Sequence, residues 1–124
     1  MNSSVKCIIL VFVLLSGSVN ATSESEQEYY LKIKSLHDKA DKKLNDLYKI
    51  QMKESQNKGA EFYGQQKSRD VYLKKAQQAW IKMRDASCDY ETYESQTGTG
   101  FSTIYEKCLL DKTNERIKYL EDNY

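Results

Sequence analysis

The chain has 124 residues, with 19 Lys and Arg against 18 Asp and Glu, one His, three Cys and no Pro. That length suits one domain with a modest core. The bases are spread along the chain and interleaved with acids, which argues against the one-sided basic face that tracks nucleic-acid phosphates.

The first 21 residues read as a cleavable export signal. Lys6 supplies the positive start, Cys7 to Leu15 (CIILVFVLL) the apolar stretch, and Val19-Asn20-Ala21 the small residues before a cleavage site. Nine apolar residues fall far short of the roughly 20 that span a bilayer. Leu15-Ser16-Gly17-Ser18 carries Ser18 where a lipoprotein signal needs a thiol to acylate. The expectation is a periplasmic or secreted product over residues 22–124, with no stable membrane anchor and with Cys7 removed.

The first segment, from about Ser25 to Gln56, places Ile33, Leu36, Ala40, Leu44, Leu47 and Ile50 at intervals of three or four. This spacing predicts one apolar stripe on a long helix. Ser23 or Ser25 suits its cap, Glu24, Glu26 and Glu28 its positive end, and Lys42, Lys43, Lys49 and Lys53 its wet face. Such a helix is long enough to project beyond its neighbours. Gly59 and Gly64 then mark a loop.

The second segment, about Gln65 to Tyr90, repeats the helical pattern through Tyr72, Ala76, Ala79, Trp80 and Met83. A polar loop follows, from Asp89 to Ile104 (DYETYESQTGTGFSTI), with Gly98 and Gly100 inside it. The third segment, about Ser102 to Asp122, uses Ile104, Tyr105, Cys108, Leu109, Thr113, Ile117 and Leu120, with Ser102 at its start. Three amphipathic stripes can bury only one another. The expected fold is all-α, a small antiparallel three-helix bundle with Trp80 at its centre and aromatic rings filling much of the core.

Two cysteines survive export, Cys88 and Cys108, so one intramolecular pairing is available in an oxidising compartment. A disulfide between the second and third helices would close a loop of about 20 residues and contribute about 3 kcal/mol. A metal site is the alternative for two cysteines, but zinc takes four ligands or three and a water. His37, the one histidine, lies far away in sequence, and no CxxC is present.

Catalytic signatures are absent. His37 beside Asp38 reads as a lone surface histidine, and the carboxylate pairs Asp41/Asp46, Asp89/Glu91 and Glu121/Asp122 as solvated charge. No glycine-rich phosphate cradle occurs. The reading is not an enzyme, with no catalytic residues, metal or cofactor.

Charge is uneven. Residues 30–84 carry 14 bases and 6 acids, whereas residues 85–106 carry Asp85, Asp89, Glu91, Glu94 and Glu106 with no Lys or Arg. The acidic stretch overlaps the polar loop. There Tyr90, Tyr93 and Phe101 sit among Ser, Thr, Gly and Gln, on a segment pinned at both ends by the expected disulfide. Pre-organised aromatic loops lose little entropy on docking. Asp89, Tyr90, Glu91, Tyr93, Glu94 and Phe101 are the candidate partner-binding residues; a plain connector between helices is the other reading. Arg84, one turn after Trp80, and Arg116, three after Thr113, are expected to tie helices together near the disulfide.

Taken together, Gln77, Trp80, Arg84, Asp85 and Cys88, then Gly98 and Gly100, Tyr105 and Cys108, and Thr113, Arg116 and Leu120 form a pattern that resembles the N-terminal domain of the LprI-type lysozyme-inhibitor family of small exported helical proteins. Gln77, Trp80, Arg84, Asp85 and Cys88 match its Q-x-x-W-x-x-x-R-[DN]-x-x-C block. Gly98 and Gly100 match the following loop, with Tyr105 and Cys108 after it; Thr113, Arg116 and Leu120 match the closing T-x-x-R-x-x-x-L. Residues 41–48 (DKKLNDLY) resemble the D-x-x-L-N-x-x-Y stretch of the first helix. Two departures stand out. Many relatives carry a further N-terminal cysteine pair, and the namesake is a lipoprotein.

The resemblance implies a soluble protein that inhibits lysozyme by binding and not by turnover. Lysozymes cleave glycan with two carboxylates in a cleft. Tyr90, Tyr93 and Phe101 would plug that cleft, while Asp89, Glu91 and Glu94 meet a cationic rim. The alternative is an envelope interaction module, such as an immunity protein against a secreted toxin or a subunit of a periplasmic complex.

Overall fold

The computed structural model describes residues 20–124, with side chains from Ser25 onward. The expected leader, 1–21, lies outside these residues except for its last two positions. Among the described residues there are three helices, α1 (Asn20–Lys58), α2 (Arg69–Glu91) and α3 (Phe101–Asp122), with a 3-10 turn at Tyr93–Ser95 before α3. The all-α bundle expected from periodicity is the fold observed.

Consecutive helices run antiparallel, so α1 and α3 are parallel to each other. Glu26 meets Gly100 at the start of α3, His37 meets Glu106, Gln51 meets Leu120, and Glu54 meets Tyr124. Because α3 runs beside α1 from Glu26 to Glu54, the first helix does not project as an arm. Helix α1 also starts before both expected capping serines, so Glu24, Glu26 and Glu28 lie beyond its first turn. The loop after α1 turns through Gly59 and Gly64 at φ of 69° and 82°, a left-handed backbone where a side chain would be strained.

The core consists of Ile33, Ala40 and Leu44 of α1, Trp80 of α2, and Leu110, Ile117 and Leu120 of α3. Trp80 is central as expected, but it is the one aromatic ring in that cluster. The other rings lie mostly on the surface, Tyr72, Tyr90, Tyr93 and Tyr119 among them. The apolar stripes are also phased differently from the spacing of large residues. Leu36 and Ile50 of α1, Ala76, Ala79 and Met83 of α2 and Ile104 of α3 are exposed, while His37, Gln51, Ser55, Gln77, Thr103, Thr113 and Arg116 are buried.

Polar side chains hold these inner positions because they find partners on another helix. The Gln51 amide donates to the Leu120 carbonyl at 3.0 Å, and the Arg116 Nε donates to Gln77 Oε1 at 3.0 Å. A buried polar group that keeps its hydrogen bond avoids the desolvation cost that would otherwise expel it.

Candidate functional site

Cys88 and Cys108 form the disulfide, with Cα atoms 5.8 Å apart, and join the last turns of α2 to the first half of α3. Both sulfurs are thereby committed, which sets aside the metal-ligand alternative. Cys88 is completely enclosed, at 0% exposure. Around it the chain folds into a compact corner. The Thr92 amide and hydroxyl both donate to the Cys88 carbonyl, at 3.0 and 2.8 Å. Tight turns then follow one another: the Ser95 amide donates to the Thr92 carbonyl, Gly98 to Ser95, and Phe101 to Gly98. A Cβ on Gly98 would come within 3.2 Å of the Ser95 carbonyl, so this turn favours the missing side chain.

The polar loop is therefore shorter than its composition suggests. Asp89, Tyr90 and Glu91 belong to the last turn of α2, and Phe101 opens α3. The six candidate docking residues divide by environment. Tyr90 and Tyr93 point outward, 84% and 70% exposed. Glu94 lies exposed beside them, with no ion pair among the described residues. Asp89 and Glu91 are already engaged. Asp89 accepts from the Tyr105 hydroxyl at 3.1 Å, and Glu91 pairs with Lys112 at 2.7 Å. Phe101 is half-buried against Tyr105, ring centres 5.7 Å apart. Burial first, and the Asp89 carboxylate second, raise the Tyr105 phenol above its ordinary value of 10.0.

Beneath this corner runs a spine of guanidinium and indole. The Arg84 guanidinium lies 5.2 Å from the Trp80 ring centre and that of Arg116 5.7 Å, so one indole carries two cations. Arg84 donates to its neighbour Asp85 at 2.9 Å and reaches Asp41 of α1 at 3.3 Å. Arg116 stands over Tyr119 as well, at 4.9 Å. Gln77, Trp80, Thr113, Arg116 and Leu120 are all buried. The arginines thus span helices, Arg84 from α2 to α1 and Arg116 from α3 to α2. Gly100 fits closely under α1, where a Cβ would meet Glu26 Oε1 at 2.9 Å.

His37 is not a surface residue. It is 7% exposed, with Nδ1 donating to Glu106 Oε2 at 2.7 Å and Nε2 3.5 Å from Asp41. The α1–α3 packing encloses it, and it acts as a polar strut between those helices. Sequence reading missed this strut and the Glu91–Lys112 pair, because the partners lie 69 and 21 positions apart. A recoverable signal was the spacing of Asp41 four residues after His37, which puts both on one helical face.

Among the described residues, no helix is long and apolar enough to cross a membrane. A 50-residue stretch is 36% identical to an uncharacterized protein of Rhizobium meliloti (strain 1021), covering 40% of this chain and 36% of that protein. The matched segment thus spans about a third of that relative's length. No solved structure matches the chain. Residues 18–120, which take in nearly the whole three-helix bundle and its disulfide, match the family described as Lysozyme inhibitor LprI, and the chain belongs to that family.

Proposed function

We propose that the protein is exported and binds a lysozyme, blocking its glycan cleft with the disulfide-held corner at the end of α2. The observation that carries this reading is the pair Tyr90 and Tyr93, both well exposed on a turn whose base, Cys88 and Thr92, is buried. Large rings held on a stiff support suit a hot spot, since docking them costs little chain entropy. Family membership supports lysozyme as the partner. The disulfide and the leader pattern over 1–21 support export.

Within this reading the acids have separate roles. Glu94 is free to meet a cationic rim. Asp89 and Glu91 fasten Tyr105 and Lys112 and so hold the corner in shape. Gly98 permits the tight turn into α3. Trp80, Arg84 and Asp85 support the corner from below, while Gln77, Thr113, Arg116 and Leu120 pack the helices together farther along the bundle; none of them touches the partner. Electrostatic steering by a small acidic surface predicts an association rate that falls as salt rises.

The test is an inhibition panel of several purified lysozymes, run with and without reductant. It compares the wild type with Tyr93→Ala and Cys88→Ser. We expect inhibition by the oxidised wild type, a loss of at least about tenfold in Tyr93→Ala with unchanged melting, and a loss on reduction. Full lysozyme activity at nanomolar wild-type protein overturns the function. Undiminished inhibition by Tyr93→Ala together with Tyr90→Ala overturns the docking surface while leaving the partner standing.

A further inference from the structure

The end of the bundle away from the disulfide holds a second feature. A cleft of about 190 Å³ opens between α2 and the C-terminal half of α3, floored by α1 at Gln51. Its walls include Tyr72, Leu73, Tyr119, Leu120 and Tyr124, and Arg116 lines it from inside. Ala76 is the cleft residue of α2 nearest Cys88 in sequence. The two lie twelve positions apart on α2, about 18 Å along the axis, so the cleft and the docking corner are distinct sites.

Arg116 is unusual for a charged group. It is 9% exposed and forms no ion pair among the described residues. Its Nε is the one guanidinium nitrogen with an acceptor there, Gln77, while Nη2 is buried with none. The Trp80 and Tyr119 rings cushion the charge without neutralising it. Burial holds its pKa below the ordinary guanidinium range. An enclosed charge that lacks a counter-ion costs stability, and here it lies beside an open, mostly apolar space. The cleft's other arginine, Arg69, is occupied differently. It donates to the Asn123 carbonyl and stacks over Tyr124 at 5.3 Å. Glu54, outside the lining, accepts from the Tyr124 hydroxyl at 2.6 Å.

We infer that this cleft binds a small organic carboxylate, with its oxygens on the Arg116 guanidinium and a flat apolar body between Leu73, Tyr72 and Tyr119. A carboxylate is the chemistry that a guanidinium fork pairs with most directly. No protein carboxylate has to be displaced from Arg116. The tyrosine walls accept a flat body by stacking and apolar contact, and the size of the cleft limits the ligand to about one ring.

The test is NMR titration of the purified, disulfide-bonded protein with benzoate, using benzamide as the neutral isostere. Benzoate is expected to saturate, moving the Arg116 Nε–H signal and the amides of Leu73, Tyr119 and Leu120, while Tyr93 and Glu94 stay in place. Benzamide is expected to bind at least about tenfold more weakly, because the charge-assisted bonds are lost. Arg116→Lys keeps the charge but not the fork and is expected to weaken benzoate comparably. Ala76→Trp fills the cleft at an exposed position, leaves Arg116 intact and is expected to abolish binding. Absence of saturable benzoate shifts, equal binding of benzamide, or unchanged binding in Ala76→Trp would each overturn the site. None of these outcomes bears on lysozyme inhibition, which is read at the other end of the bundle.

Discussion

The two ends of the bundle are closed by different chemistry. At one end a covalent bond joins α2 to α3, acids predominate, and the exposed Tyr90 and Tyr93 follow the buried Cys88 in the chain. At the other, no covalent link exists among the described residues. There the helices are held by Gln51 on the Leu120 carbonyl, by Arg69 on the Asn123 carbonyl, and by Lys58 and Arg69 over the Tyr124 ring. A disulfide acts on the unfolded chain and fixes a short segment with few contacts. Cation–ring and amide–carbonyl contacts act in the folded state and leave a cleft that stays accessible. The first arrangement suits presenting a rigid surface, the second admitting a ligand. Trp80, between them, carries one arginine that braces α1 and another that faces the cleft.

That shared support is the place to break the comparison hardest. Trp80→Ala is expected to cost about 3–5 kcal/mol in urea unfolding, since it removes the core ring and the seat of both guanidiniums. Both ends would loosen together. A cost below about 1 kcal/mol would show that the ends are braced independently.

Next in size is the disulfide. Replacing both cysteines, Cys88→Ser with Cys108→Ser, is expected to cost about 3 kcal/mol. Hydrogen exchange sharpens the contrast. The amides of Ser95, Gly98 and Phe101 should lose protection first, while those beside Gln51 and Leu120 keep theirs. Equal loss at both ends would mean that the corner is no separate unit.

A smaller effect, of opposite sign, is expected at Thr113. Its side chain is 0% exposed and its hydroxyl has no acceptor among the described residues. Thr113→Val keeps the shape and removes the orphaned hydroxyl, so stability is expected to hold or to rise by about 1 kcal/mol. A marked loss in thermal melting would reveal a partner for that hydroxyl.

The smallest effect concerns pH. The Tyr105 phenol has its folded pKa raised above 10.0, by burial first and then by the Asp89 carboxylate. Above that value the unfolded chain gives up the proton while the folded corner retains it. The resulting stability is present at neutral pH and lost as pH rises through the folded pKa. Tyr105→Phe is expected to flatten the alkaline slope of stability near the disulfide, and an identical slope in that variant would refute the assignment. Tyr124 at the far end is shifted in the same direction, by burial and by Glu54, so Tyr124→Phe is the matched control.

Much of the architecture was legible in residue types and spacing. Three amphipathic segments separated by glycine loops, a single cysteine pair beyond the leader pattern, and the Gln77-to-Leu120 pattern led to the helices, the disulfide and the family. The inward faces were less legible. Choosing the largest apolar residue at each turn selected Leu36, Ile50, Met83 and Ile104, all exposed, over Gln51, Gln77 and Arg116. The polar loop is shorter than its composition implies, because Asp89 to Glu91 complete α2 before the chain turns.

The chain alone therefore determined which stretches coil, since helical propensity and period act over neighbouring residues, and which sulfurs pair, since two lie beyond the leader pattern. Tertiary structure decided which polar side chains go inside. Gln51 is buried because the Leu120 carbonyl waits 69 positions away, His37 because Glu106 does, and Arg116 because Gln77 and two aromatic rings do. A polar group enters a core only where a partner meets it, and that meeting exists only once the helices have packed.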